Sequence, residues 1–242
     1  MALDTLLVLE LTGTAIDCSS AFGYSISNID DVRSEDESSD TVYLTNIHIY
    51  KMFKAYWKEK FEEAGEHFQN SLGTPGTKTP RFITIHQTLY GGLVAFQLHR
   101  QMGGNNDLRL QQGRAAMKKL EEWPNTHHGN KMLLLQAEHS GTIGEHDKAQ
   151  LLYRASIKAA KDHGNVHELA LSYELFGNHY CLTNGCGGED SNECFRNACV
   201  YYEQWGAIAL AEKIRRKHNL RMDTGASAEL QPGKSKHSRN GD

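Results

Sequence analysis

Four of the five cysteines lie close together in the last third of the chain and are the first candidates for chemistry. They form the pattern C-x4-C-x7-C-x4-C at Cys181, Cys186, Cys194 and Cys199. Zinc is usually bound by thiolates about two to four residues apart, so this spacing lies at the limit for a metal site. Cys181 and Cys186 flank a glycine-rich stretch, which leaves open a module that responds to metal or to oxidation. Cys199 shares an apolar stripe with Phe195 and Tyr202, where a thiol packs as a small apolar side chain, and we expect no bound metal or cofactor.

The stretch GTPGTKT at residues 73–79 has the composition of a phosphate-binding loop. A Walker loop has the pattern G-x-x-x-x-G-K-[ST], with a glycine directly before the lysine. Here only two residues separate Gly73 from Gly76, and Thr77 precedes Lys78. We therefore interpret the stretch as a linker between helices and expect neither ATP binding nor ATP hydrolysis.

The thirteen histidines include no H-E-x-x-H metal pattern, and the sequence has no G-x-S-x-G nucleophile elbow. His167 and Glu168 stand at the predicted start of a helix, where the helix dipole favours a glutamate. Paired carboxylates such as Glu62 and Glu63 fall on helix faces predicted to be exposed. These patterns predict a protein that is not an enzyme.

The composition is that of a soluble globular protein of 242 residues, with 39% apolar and 23% charged residues. Its net charge of −4, with both signs mixed along the chain, argues against a nucleic-acid partner, which would require a basic stripe. No segment reaches the roughly 20 apolar residues that span a bilayer, and the start MALDTLLVLE lacks the basic region of a secretory signal. The cysteines are odd in number, and four of the five are crowded together, so with the other features they predict a cytoplasmic protein without membrane contact.

Long proline-free stretches and helical periodicity predict an all-α fold. The four prolines leave residues 1–74 and 125–231 without a helix breaker. Apolar residues recur there at helical spacing, as at Ala149, Tyr153 and Ala160. Short connections predict an array of antiparallel helical hairpins, 43–58 with 60–72, 81–101 with 105–122, 127–140 with 145–163 and 165–183 with 190–205, and then a closing helix over 207–218.

The sequence divides into three predicted segments. Residues 1–41 form a partly ordered N-terminal segment with an acidic loop, 42–219 form the helical-repeat domain, and 220–242 form a disordered tail. The closing helix is predicted to cover the last hairpin with its apolar side, Ala207, Leu210, Ala211 and Ile214. Its charged side is predicted to face water, at Glu212, Lys213, Arg215 and Arg216.

The second helices of the hairpins share a small residue followed four positions later by a large one. The pairs are Ala64/Phe68, Ala116/Leu120, Ala149/Tyr153 and Ala198/Tyr202. Alanine lets two helices approach closely, and the large side chain fills the wedge between successive hairpins. The pattern resembles the tetratricopeptide repeat (TPR), whose period is about 34 residues. The alanines are separated by 52, 33 and 49 residues, so the resemblance is to a degenerate TPR-like array.

The region from about 130 to 210 also resembles the helical-repeat segment of large multidomain signalling proteins that carry kinase-like and AAA-type ATPase domains; residues 43–122 match it loosely. The resemblance rests on Ala137, Glu138, Gly144, Ala149, Tyr153, Ile157, Ala160, Gly164, His167, Glu168, Ala170, Glu174, Tyr180, Trp205, Gly206 and Ala207. It implies a signalling context. The chain is then a stand-alone or truncated relative that acts as a non-catalytic scaffold, or alternatively a fragment of such an ATPase/kinase-type protein.

In TPR-like arrays the first helix of each hairpin lines a concave groove that binds another protein, as an extended or helical peptide segment. The corresponding groove positions here are Asn46, Ile49, Phe53, Tyr56, Lys131, Leu134, Glu138, Leu171, Glu174 and Asn178. The alternative is that Phe53, Leu134 and Leu171 are ordinary core residues. Glu138 and Glu174 are expected to add little to the core, so replacing both should weaken partner binding with little change in melting temperature.

Overall fold

The computed structural model describes residues 37–72, 81–105, 107–123 and 129–220. The segment before residue 37, most of the predicted tail and the GTPGTKT stretch lie outside these residues. The described part of the chain is helical and contains no strand. Its helices are α1 (Glu37–Trp57), α2 (Phe61–Ser71), α3 (Arg81–Gln101), α4 (Asp107–Glu121), α5 (Gly129–Thr142), α6 (His146–Asp162), α7 (Val166–Asn184), α8 (Glu189–Trp205) and α9 (Ile208–Lys217).

The helix bounds agree with the periodicity of the sequence except at one point. Every predicted start and end lies within two residues of the observed one apart from the start of α1. That helix begins at Glu37, so the last part of the predicted acidic loop is helical.

Successive helices pack in adjacent pairs, α1 with α2, α3 with α4, α5 with α6 and α7 with α8. The alanines of the repeat pattern are buried in these interfaces. Glycines serve the same purpose where aromatic rings lie against a helix backbone: a Cβ atom on Gly177 would lie 2.7 Å from the ring of Phe195. The closing helix α9 packs on α8 through Leu210, Ala211 and Ile214, as predicted.

Three buried tyrosines in the core each have a polar side chain as a hydrogen-bond partner. Tyr90, Tyr153 and Tyr202 are each at most 1% exposed. A buried hydroxyl needs a hydrogen-bond partner, and these three lie against His167, Glu138 and Glu174 respectively. The core therefore places ionisable groups on its inner helices.

Candidate functional site

The inner surface of the array is formed by α1, α3, α5 and α7. These alternate helices pack against one another in order, in addition to their contacts within each pair. No two even-numbered helices pack to a similar extent in the described part of the chain. The helices α1, α3, α5 and α7 therefore form a layer of their own, against which α2, α4, α6 and α8 pack.

A cavity of about 510 Å³ opens on this inner layer and is closed on one side by α9. Its wall includes aromatic side chains at the end of α1 and polar side chains of α3 and α5. Side chains from successive turns of α7, between Glu174 and Leu182, also line it. Leu210, Lys213, Ile214 and Lys217 complete the wall from α9. The cavity thus joins the first helices of all four pairs to the last helix of the described chain.

Four of the ten predicted groove residues line this cavity, namely Tyr56, Glu138, Glu174 and Asn178. The other six do not. Ile49, Phe53, Leu134 and Leu171 are buried among apolar side chains of the core. Asn46 is half-buried and its Oδ1 atom has no hydrogen-bond partner, whereas Lys131 is buried in an ion pair described below.

Glu138 belongs to a closed hydrogen-bond network inside the wall. The Arg100 guanidinium donates to Glu138 Oε2 at 2.7 Å and also to Gln97 and Thr142. The Tyr153 hydroxyl donates to the other carboxylate oxygen. Glu138 is only 3% exposed, so the expectation that it adds little to the core is wrong. The sequence pattern placed it on the inner helix correctly but could not show that its partner, Arg100, lies on the neighbouring one.

Glu174 differs from Glu138 although both line the cavity. Its Oε2 atom accepts a hydrogen bond of 2.7 Å from Tyr202, but no described lysine, arginine or histidine forms an ion pair with it. Burial raises the pKa of Glu174, and the hydrogen bond from Tyr202 and the positive charges of Lys213 and Lys217 lower it only in part. Glu174 is therefore a carboxyl group in the cavity wall that forms no ion pair with a described residue.

Two further polar atoms on cavity-lining residues lack partners. The indole Nε1 of Trp57 and Nε2 of His179 are buried and form no hydrogen bond. Trp57 and His179 are 5% and 3% exposed, so water reaches neither side chain freely. Buried polar atoms without partners are uncommon in proteins and commonly mark a place where a water molecule or ligand binds.

The wall formed by α9 is attached to the first helix pair by charged groups. Lys213 Nζ donates to the Trp57 carbonyl oxygen at 2.8 Å and lies 2.9 Å from Glu59, and Lys217 lies 2.8 Å from the same carboxylate. Burial opposes ionisation of Glu59, but hydrogen bonds from Lys217 and Lys213 lower its pKa. The prediction that Lys213 faces water is therefore wrong, because its ammonium group spans the cavity edge to reach α1; Glu212 and Arg216 are exposed as predicted.

A second polar cluster lies on the N-terminal ends of the inner helices. Glu168 Oε1 is 2.6 Å from Lys131 Nζ and 3.3 Å from His86 Nε2, and the hydroxyl of Tyr90 is 2.7 Å from His167 Nε2. His167 also stacks on Trp205 with ring centroids 4.2 Å apart. We call Lys131, Glu168, His86, His167 and Tyr90 the basic-end cluster.

Electrostatics keeps the basic-end cluster in fixed protonation states. Burial lowers the pKa of His167 to about 4, so the imidazole is neutral near pH 7. Burial alone would raise the pKa of Glu168, but the hydrogen bond from His86 and the nearby positive charge of Lys131 hold it well below its usual value. Glu168 is therefore an ionised carboxylate with its counter-charge already in place.

His86, His167 and Glu168 are also the one group of three potential metal ligands found among the described residues. Their ligand atoms lie within 4.8 Å of one another. A divalent cation would have to displace the Lys131 ammonium group from Glu168 or bind beside it, and either costs electrostatic energy. Sequence inspection missed this cluster because His86 and Glu168 are 82 positions apart.

The four crowded cysteines do not form a comparable group. Cys194 and Cys199 are buried, and burial raises the pKa of their thiols to about 12 and about 11. Only the thiolate binds metal or reacts readily, so these two groups are inert near pH 7. Cys181 and Cys186 lie at the cavity edge, with Cys186 exposed.

No protein-family model, curated protein or solved structure matches this chain. Among the described residues no helix combines the length and the apolar character needed to cross a lipid bilayer. The geometry of the inner surface is therefore the basis for assigning a function.

Proposed function

We propose that this protein is a non-catalytic, TPR-like helical scaffold that binds a segment of a partner protein in the inner cavity. The observation that carries the proposal is the cavity itself, which lies on the layer where successive first helices meet. Its volume of about 510 Å³ falls within the range of about 300–1,000 Å³ that is typical of ligand sites. The resemblance to helical-repeat segments of signalling proteins supports a cytoplasmic signalling context.

The lining of the cavity favours a peptide over a nucleic acid. It combines aromatic rings with carboxylates and with lysine and arginine groups that already have protein acceptors. A nucleic-acid site needs uncommitted positive charge for phosphates, which this wall does not offer. A peptide brings apolar side chains together with donors and acceptors, and both kinds of surface are present here.

Selection from a peptide library displayed on phage, with the full chain immobilised, tests the proposal. Selected peptides should bind the unmodified protein and should lose affinity when Leu182, on the cavity edge, is replaced by tryptophan. Leu151→Trp is the matched control because Leu151 and Leu182 are 67% and 68% exposed and Leu151 does not line the cavity. If no peptide is selected, or if both variants bind equally well, the cavity is not the binding site.

A further inference from the structure

The carboxyl groups on the inner surface differ in whether they form an ion pair, and this difference suggests what the cavity binds. Glu138 has Arg100, Glu59 has Lys213 and Lys217, and Glu168 has Lys131. Glu174 accepts a hydrogen bond from Tyr202 but forms no ion pair, and Lys213 and Lys217, which pair with Glu59, lower its pKa only in part. Among these four carboxyl groups, Glu174 is the one that could form an ion pair with a positively charged group of a ligand.

Aromatic rings stand beside this carboxyl group in the cavity wall. Tyr56 is 5.3 Å from Trp57 and 5.8 Å from Phe61 between ring centroids, with interplanar angles of 87° and 78°. These are edge-to-face contacts within one aromatic cluster, and its three rings line the same cavity as Glu174. Cations are attracted to aromatic rings at up to about 6 Å, so aromatic side chains in the wall favour an ammonium or guanidinium group in the cavity.

The cations of the wall are not free to bind an anion instead. Lys213 and Lys217 donate to Glu59, and Lys213 also donates to the Trp57 carbonyl oxygen. Arg100 donates to three side chains, including Glu138. The Trp57 indole N–H is a donor on the wall without a partner, and a peptide carbonyl oxygen would satisfy it.

We propose that the cavity receives a basic side chain of the partner, a lysine ammonium or an arginine guanidinium group, with Glu174 as its carboxylate and the rings of Tyr56 and Trp57 beside it. This inference rests on the proposed function and names the chemistry of the bound segment. A bound cation favours the ionised form of Glu174, which burial otherwise disfavours. The ion pair forms in a partly enclosed space, where water competes less than it does at an open surface.

The test compares two small probes on the full chain, N-acetyl-lysine N-methylamide and N-acetyl-norleucine N-methylamide. The two have side chains of similar length, and only the first carries a charge. Titration followed by NMR should give a dissociation constant roughly tenfold lower for the lysine probe, the difference expected of a charge-assisted hydrogen bond. Equal affinities would overturn the inference, and this comparison requires no variant.

Glu174→Gln locates the effect. The amide oxygen of glutamine still accepts the hydrogen bond from Tyr202, so the variant removes the charge and keeps the shape. It should bring the affinity for the lysine probe down to that of the norleucine probe, while Glu193→Gln, an exposed position on α8, should leave it unchanged. If Glu174→Gln binds the lysine probe as tightly as the unmodified chain, Glu174 is not the acceptor.

The phage selection separates this inference from the proposed function. Peptides that compete for the cavity but share no lysine or arginine would overturn the basic side chain and leave the peptide-binding function standing. An empty selection would overturn the proposed function itself.

Discussion

The basic-end cluster and the cavity wall lie on the same inner helices but differ in how far their polar groups are satisfied. In the first, Lys131 and His86 lie on Glu168, and Tyr90 meets His167. In the second, Glu174 forms a hydrogen bond but no ion pair, and Trp57 Nε1 and His179 Nε2 form no hydrogen bond. Hydrogen bonds and ion pairs between helices stabilise the fold. Polar groups without such partners can instead form hydrogen bonds or ion pairs with a ligand. We therefore propose a structural role for the first region and a role in recognition for the second.

The largest effect on stability is expected from Lys131→Met. The change leaves the Glu168 carboxylate buried with His86 alone, and removing one partner of a buried ion pair costs about 3–5 kcal/mol of unfolding free energy. Urea denaturation measures the loss. Lys148→Met is the control, because Lys148 forms an exposed pair with Glu145, and exposed pairs contribute much less to stability than buried ones. Equal losses for the two variants would mean that the cluster is not a structural network.

Acidification should weaken the same region before it affects the cavity. The folded-state pKa of His167 is about 4, below the value near 6.5 of the unfolded chain. A histidine with a lowered pKa contributes stability that is present above about pH 6.5 and is lost as the pH falls towards 4, by at most about 3 kcal/mol. Unfolding free energies at pH 7 and pH 4.5 should differ less in His167→Phe than in the unmodified chain. The exposed His163→Gln should keep the full difference, and a full difference in His167→Phe as well would contradict the assignment.

Glu138→Gln should have an intermediate effect, because Glu138 is the satisfied carboxylate of the cavity wall. Glutamine keeps an acceptor for Tyr153 but leaves the Arg100 charge uncompensated, at a cost of about 1–3 kcal/mol. Thermal unfolding measures this cost. A melting temperature equal to that of the unmodified chain would show that the network contributes nothing to the fold.

Glu174→Gln should have the smallest effect, within about 1 kcal/mol. The raised pKa of Glu174 means that its contribution to stability is present below about pH 4.5 and is lost as the pH rises through the folded-state value. Glutamine stays neutral, so the variant should melt at the same temperature as the unmodified chain at pH 5 and at the same or a higher temperature at pH 8. A loss as large as that of Lys131→Met would place Glu174 in an internal network and end the contrast between the two regions.

The helices and their bounds could be predicted from the sequence because they depend on residues that are close together in the chain. Periodic apolar residues and the few glycine and proline breaks set the helix bounds, and the buried alanines follow from the repeat. The inner helices were predicted as well, so four cavity residues were named. Partners distant in the chain could not be inferred from one sequence: Arg100 for Glu138, Lys131 for Glu168 and Glu59 for Lys213 each join separate helix pairs.

The three tryptophans provide the most direct test of the central claim, that the cavity and not the basic-end cluster binds the partner. Trp57 lines the cavity, Trp205 stacks on His167 of the cluster, and Trp123 stands after α4. Each indole N–H gives its own NMR resonance. On titration with a selected peptide, we expect a large shift of the Trp57 resonance and little change for Trp205 and Trp123. A shift of Trp205 or Trp123 with Trp57 unchanged would contradict it.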